Sequence, residues 1–111
     1  MRLDDAVRLQ HIQDAIRLVE SFLSNRSRTD LDGDKQLQFA LARAIEIVGE
    51  AASKLSHEFR DSNPEIPWPA MVGMRNRLAH AYFDLDNDVL WRTAAVSLPE
   101  LAHKLASLSG K

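Results

Sequence analysis

Apolar residues recur every three or four positions through almost the whole of the 111-residue chain, the spacing of amphipathic helices. Between Leu3 and Leu23, the residues Ile12, Ala15, Ile16, Val19, Phe22 and Leu23 share one side and the intervening charges take the other. The stretch from Asn25 to Gly33 breaks this rhythm with Ser, Thr, Asp and Gly, which favour turns and caps. A second helix is predicted from Asp34 to about His57, with Leu37, Leu41, Ala44, Ile45, Val48, Ala52 and Leu55 as its core stripe. Pro64, Pro67 and Pro69 mark a connection and a new helix start, because proline suits a first helical turn and not an interior. The third helix carries Met71, Val72, Arg75, Leu78, Ala79 and Tyr82 on one side. Asp84, Asp86, Asn87 and Asp88 form a polar break, with Asp86 or Asn87 placed to cap a fourth helix. That helix runs to about Leu108 through Leu90, Ala94, Leu98, Leu101 and Leu105, and Pro99 inside it should kink it or remove one hydrogen bond. No strand, repeat or low-complexity segment emerges. The expectation is an all-α, antiparallel four-helix bundle with a kinked last helix, forming one domain over residues 1–111.

Composition narrows the class. At 45% hydrophobic and 27% charged residues, the chain is neither a disordered tail nor a membrane protein, and no apolar run approaches the ~20 residues of a span. MRLDDAVRLQH at the N-terminus places acidic residues where a signal peptide needs an apolar core, so a cytoplasmic location is expected. The absence of cysteine excludes a disulfide framework and a thiolate metal site. His11, His57 and His103 lie one to a helix without zinc spacing, and the alternating aspartates at 84–88 lack the rest of a calcium loop. No metal and no cofactor is expected. The formal charge of −2 speaks against a broad nucleic-acid surface, yet it permits a nuclease whose positive charge is gathered in one cleft.

Candidate chemistry concentrates in residues 73–83, GMRNRLAHAYF, where Arg75, Asn76, His80 and Tyr82 sit within eight positions in a run otherwise made of apolar residues and one further arginine, Arg77. Arginine supplies a permanent charge and a planar donor fork that suits phosphate. Histidine exchanges protons near neutral pH. Together they form a minimal kit for metal-free phosphodiester cleavage. Five residues apart on a helix is about 140° around its axis, so Arg75 and His80 do not stack on one face as Asn76 and His80 do. A helix end that unwinds near His80, or a second copy of the helix across a two-fold axis, would bring them to one phosphate. A bland reading stands beside this one: His80 as a helix C-terminal cation, Arg75 paired with Glu46 or Glu50, and Tyr82 as a core aromatic.

The same peptide carries a family resemblance. The pattern Arg75-Asn76-Arg77-Leu78-Ala79-His80 fits the arginine, four to six residues, histidine motif of the HEPN superfamily. His80-Ala81-Tyr82 resembles the extension found in the HepT-like toxins of two-gene modules. IVGEAASKLS at 47–56, IPWPAMVGMRN at 66–76 and SLPEL at 97–101 extend the likeness from about residue 40 to the end. The resemblance implies a dimerising helical bundle and a metal-independent RNase. Its partner would be a minimal nucleotidyltransferase antitoxin of the MntA type. Carried over residue by residue, Arg75 and His80 are catalytic, Asn76 is supporting, and Tyr82 accepts adenylyl groups. Two other readings use the same features: a non-catalytic nucleotide- or RNA-binding module, and a structural subunit that holds the nucleotidyltransferase.

Overall fold

The computed structural model of the chain describes residues 2–79 and 86–109, with residues 76–79 and 109 as backbone only. The described residues form six α-helices: α1 (Leu3–Leu23), α2 (Lys35–Ser53), α3 (His57–Ser62), α4 (Trp68–Ala79), α5 (Asn87–Arg92) and α6 (Leu98–Ser109). A π-turn over Thr93–Ser97 joins α5 to α6 without a break, so residues 87–109 are one long helix. The four long rods are therefore α1, α2, α4 and this last helix. No strand occurs among the described residues.

The rods run alternately up and down. Asp5, near the start of α1, accepts hydrogen bonds from Ser56, just beyond the end of α2. Arg28, just after α1, reaches Asp88 at the start of α5. Gly49, in the second half of α2, lies against Met71 and Arg75 in the first part of α4. Each rod thus begins where its predecessor ends, the antiparallel order expected of a bundle with short connections.

The core follows the predicted stripes. Ile12, Ile16 and Val19 of α1 meet Leu41, Ile45, Val48 and Ala52 of α2, and Leu90, Ala94, Leu98, Leu101, Leu105 and Leu108 line the last rod; all are buried. Burying an aliphatic side chain of this kind is worth about 1.5–3 kcal/mol, which makes the shared seam the main source of stability. Asp34 caps α2 by accepting the Leu37 N–H, and Asp86 caps α5 by accepting from Asp88 and Val89.

One expectation needs correction, and one predicted break holds more than a connection. The second helix stops at Ser53 rather than near His57, because Ser56 takes an extended backbone and caps a separate helix, α3, through a hydrogen bond to the Phe59 N–H. The break at residues 25–33 also hides structure: Arg28–Leu31 form a 3-10 turn with a capping box between Ser27 and Asp30, and Leu31 is fully buried. The last helix carries its irregularity where the sequence places Pro99. Leu98 donates its N–H to the Thr93 carbonyl five residues back, and Pro99 has no N–H to continue the α pattern.

Candidate functional site

The entry into α4 is built from aromatic packing and one buried hydrogen bond. Trp68 is buried, its ring lies 5.9 Å from that of Phe59, and its indole N–H donates to the Asn63 carbonyl at 3.0 Å. The N–H of Met71 reaches the Pro67 carbonyl at 3.1 Å, so the proline-rich entry is joined directly to the first turn. Ile66, Trp68 and Met71 anchor this end of α4 in the core. The helix that follows is held tightly at its base.

Arg75 stands one turn beyond Met71, half-buried. Facing it on α2 is Gly49. A β-carbon at position 49 would lie 2.7 Å from the Met71 carbonyl oxygen and 3.3 Å from the Arg75 Cα, and would overlap the Arg75 Cβ. No side chain fits there without moving a backbone, so glycine is required by the close approach of α2 and α4 and not by any unusual φ. The consequence is geometric: the Cβ of Arg75 leaves α4 inside the α2–α4 seam, at the close approach of the two helices.

The carboxylates flanking Gly49 have neighbours on their own helix. Glu46 pairs with Arg43 at 3.3 Å and Glu50 with Lys54 at 3.5 Å. Asn76 belongs to α4 by its backbone, one residue past Arg75. His80 and Tyr82 lie outside the described residues, so the structure brings Arg75 and the α4 axis to the candidate site and leaves the juxtaposition with His80 and Tyr82 as an expectation.

Downstream, Asp86 to Asp88 return to the described chain and are held from the other side of the bundle. The Arg28 guanidinium contacts Asp32 at 2.7 Å and Asp88 at 2.7 Å. Hydrogen bonds from Arg28 hold the Asp32 carboxyl below the usual carboxylate range, and its carboxylate partners raise Arg28 above its ordinary value. The start of α5 is thus tied by this ion-paired cluster to the turn that follows α1. Sequence reading missed Gly49 and Arg28. A glycine in the middle of a strongly periodic helix was the signal available for the first; the second pairs with a residue 60 positions away and left none.

Among the described residues, no three His, Asp or Glu side chains gather into a metal-binding group, and no helix is long and apolar enough to cross a membrane. No solved structure matches the chain. Similarity to curated proteins is extensive. A protein of Thermococcus cleftensis named "probable ribonuclease HepT" is 43% identical over 100 residues, covering 90% of this chain and 91% of its own length. A Caldanaerobacter subterraneus protein named a "putative RNase" is 32% identical over 103 residues, 93% of this chain and 92% of its own. A Methanocaldococcus jannaschii protein named "gamma-glutamylcyclotransferase and putative RNase" is 34% identical over 97% of this chain, which spans 49% of that protein. The ribonuclease HepT-like family model matches residues 12–108, a span that takes in α2, α4 and all of the Arg75–Tyr82 motif. The chain belongs to the ribonuclease HepT-like family.

Proposed function

We propose that this protein is a metal-independent RNA endonuclease that works as the toxin of a two-gene module. The observation that carries the reading is the family match, whose span, residues 12–108, includes the motif residues. The seating of the Arg75 Cβ in the α2–α4 seam supports it, since a cation that stabilises a transition state is best carried on a rigid element.

In this mechanism the ribose 2′-hydroxyl attacks the adjacent phosphorus. His80 takes the 2′ proton as general base, the O2′–P bond forms, and the P–O5′ bond breaks. The 5′ oxygen leaves with a proton returned by a histidine acting as acid, in a symmetric cleft the partner's His80. Arg75 stabilises the negative charge growing on the phosphoryl oxygens, and Asn76 holds a phosphate oxygen or orients His80. The products are a 2′,3′-cyclic phosphate and a 5′-hydroxyl. A homodimer with two Arg75 and two His80 in one cleft supplies the local positive charge that a chain of net charge −2 otherwise lacks.

Tyr82 is the regulatory handle in the same reading. A partner nucleotidyltransferase of the MntA type would transfer AMP from ATP to the Tyr82 hydroxyl, releasing pyrophosphate and leaving a phosphodiester beside the catalytic pair. The tethered AMP carries about one negative charge and occupies the path of the RNA backbone at high effective concentration. Mass spectrometry of the cleaved oligonucleotide and of the co-expressed protein tests both halves. Cyclic phosphate ends and a Tyr82 heavier by multiples of AMP are expected, with Tyr82→Phe still nucleolytic yet resistant to silencing. Products ending in a 3′-hydroxyl would contradict the cleavage chemistry. An unmodified Tyr82 in a neutralised pair would show that the antitoxin acts by binding alone.

A further inference from the structure

The outer flank of α2 carries side chains that the proposed cleavage chemistry does not use. Lys35, Phe39 and Arg43 follow one another at four-residue intervals, so they form one row along the helix surface, about 12 Å from end to end. All three are exposed. Phe39 is 57% exposed and is the one aromatic ring among the large apolar side chains that the described residues leave exposed. It belongs neither to the described core nor to the side chains packed against that core. A lone exposed apolar residue is ordinary. An aromatic ring with a cation one helical turn to either side is a more specific arrangement.

The row lies toward the end of the bundle to which the motif helix runs. α2 and α4 are antiparallel and meet where Gly49 faces Met71 and Arg75. From that contact, Phe39 is ten residues back along α2, about 15 Å, and α4 runs the same way from Arg75 to Ala79. At about 100° per residue, Phe39 comes to lie roughly 80° round the α2 axis from Gly49, on the outward flank next to α4. Charge on the row is available. Lys35 forms no ion pair with any described residue. Arg43 meets Glu46 at 3.3 Å in a pair that water screens, so its guanidinium can exchange that carboxylate for a phosphate.

We propose that Phe39 is a stacking platform for a base of the RNA substrate, with Lys35 and Arg43 taking phosphates on either side of it. Every base has a π face, so a ring of this kind holds a strand without reading its sequence, and flanking cations hold the backbone. The base must be unpaired, because a duplex keeps its bases stacked on one another. A second copy of the chain fits the row less well. A stable interface buries about 800 Å² per partner around an apolar centre, and the neighbours of Phe39 along the row are charged. The proposal rests on the ribonuclease reading for the identity of the ligand, and adds to it a binding residue outside the Arg75–Tyr82 motif.

The test measures binding of a fluorescein-labelled, single-stranded 2′-O-methyl oligonucleotide by fluorescence anisotropy; this probe has no 2′-hydroxyl and binds without being cleaved. Phe39→Ala should weaken binding on the order of tenfold, and Phe39→Trp should keep the wild-type affinity. A strand of equal length made of abasic nucleotides keeps the phosphates and loses the bases, so it should not distinguish wild type from Phe39→Ala. Replacing Lys35 and Arg43 together by alanine should weaken both strands and flatten the dependence of binding on salt. Phe39 is exposed, so its variants keep the fold, which circular dichroism checks. Four results would each overturn the proposal: no binding of the probe by wild type, indifference to Phe39→Ala, an equal loss with the abasic strand, or a dimer that Phe39→Ala turns into a monomer in light scattering. The last would make the ring a subunit contact. RNA cleavage assayed alongside separates this proposal from the reading it rests on. Phe39-dependent binding without cleavage by wild type sinks the nuclease alone, and cleavage with Phe39-indifferent binding sinks the platform alone.

Discussion

Gly49 and Arg75 form the contact on which the candidate site rests, and it is a contact between a missing side chain and a present one. Replacing Gly49 by alanine has two opposed effects. Alanine is a better helix former than glycine by about 0.5–1 kcal/mol. Its methyl would also collide with the Arg75 Cβ and the Met71 carbonyl, and overpacking of this kind typically costs about 1–3 kcal/mol. The collision is with backbone and with a Cβ, not with the yielding tip of a side chain, so the second effect wins. Gly49→Ala is expected to lower stability in urea unfolding by a net ~1 kcal/mol and to displace Arg75. A variant as stable as the parent would mean that α2 and α4 stand further apart. From sequence, Arg75 was legible as the unusual charge in an apolar run; the glycine that positions it was not, because no periodicity reports which residue two helices choose for their closest approach.

Elements are joined by polar latches that helical periodicity cannot reveal. Asp5 is buried in the first turns of α1, where it accepts the Ser56 N–H at 2.8 Å and the Ser56 hydroxyl at 2.7 Å. Burial pushes its carboxyl up, but these two hydrogen bonds, with help from Arg2, outweigh it and hold the group below the usual carboxylate range. The same serine ends the α2 region and starts α3, so one aspartate ties three helices together. A group whose folded pKa is depressed stabilises the fold above its unfolded value, near 4, and loses that contribution as pH falls through the lower folded value. Asp5→Ala is therefore expected to cost about 1–3 kcal/mol at pH 7. The gap from wild type should narrow below about pH 4, as followed by urea unfolding across pH. A gap that persists unchanged to the lowest pH would show that the ionised form is not what binds Ser56. Patterning captured the four rods, the buried stripes of α1, α2 and the last rod, and the Asp86 cap. It missed α3 and the 3-10 turn, which are too short for a period and depend on partners distant in sequence. Pro99 announced an irregularity, which takes the form of a π-turn just upstream of it.

The molecule as a whole is slightly acidic, and an RNA backbone is not drawn to such a surface without local compensation. A symmetric dimer would concentrate two copies of Arg75 and His80 in one cleft, and light scattering at micromolar concentration is expected to give twice the 12.5 kDa chain mass. A monomer would remove the compensation and the shared cleft with it. The central claim, that Arg75 and His80 cleave RNA without a metal, is met most directly by one assay. Purified wild type, Arg75→Ala and His80→Ala are incubated with RNA in excess EDTA, with helical content checked by circular dichroism. The wild type should cleave undiminished, and each variant should retain its helices while losing on the order of 10²–10⁴-fold in rate. Cleavage that requires added metal, or that survives either substitution, would contradict the account.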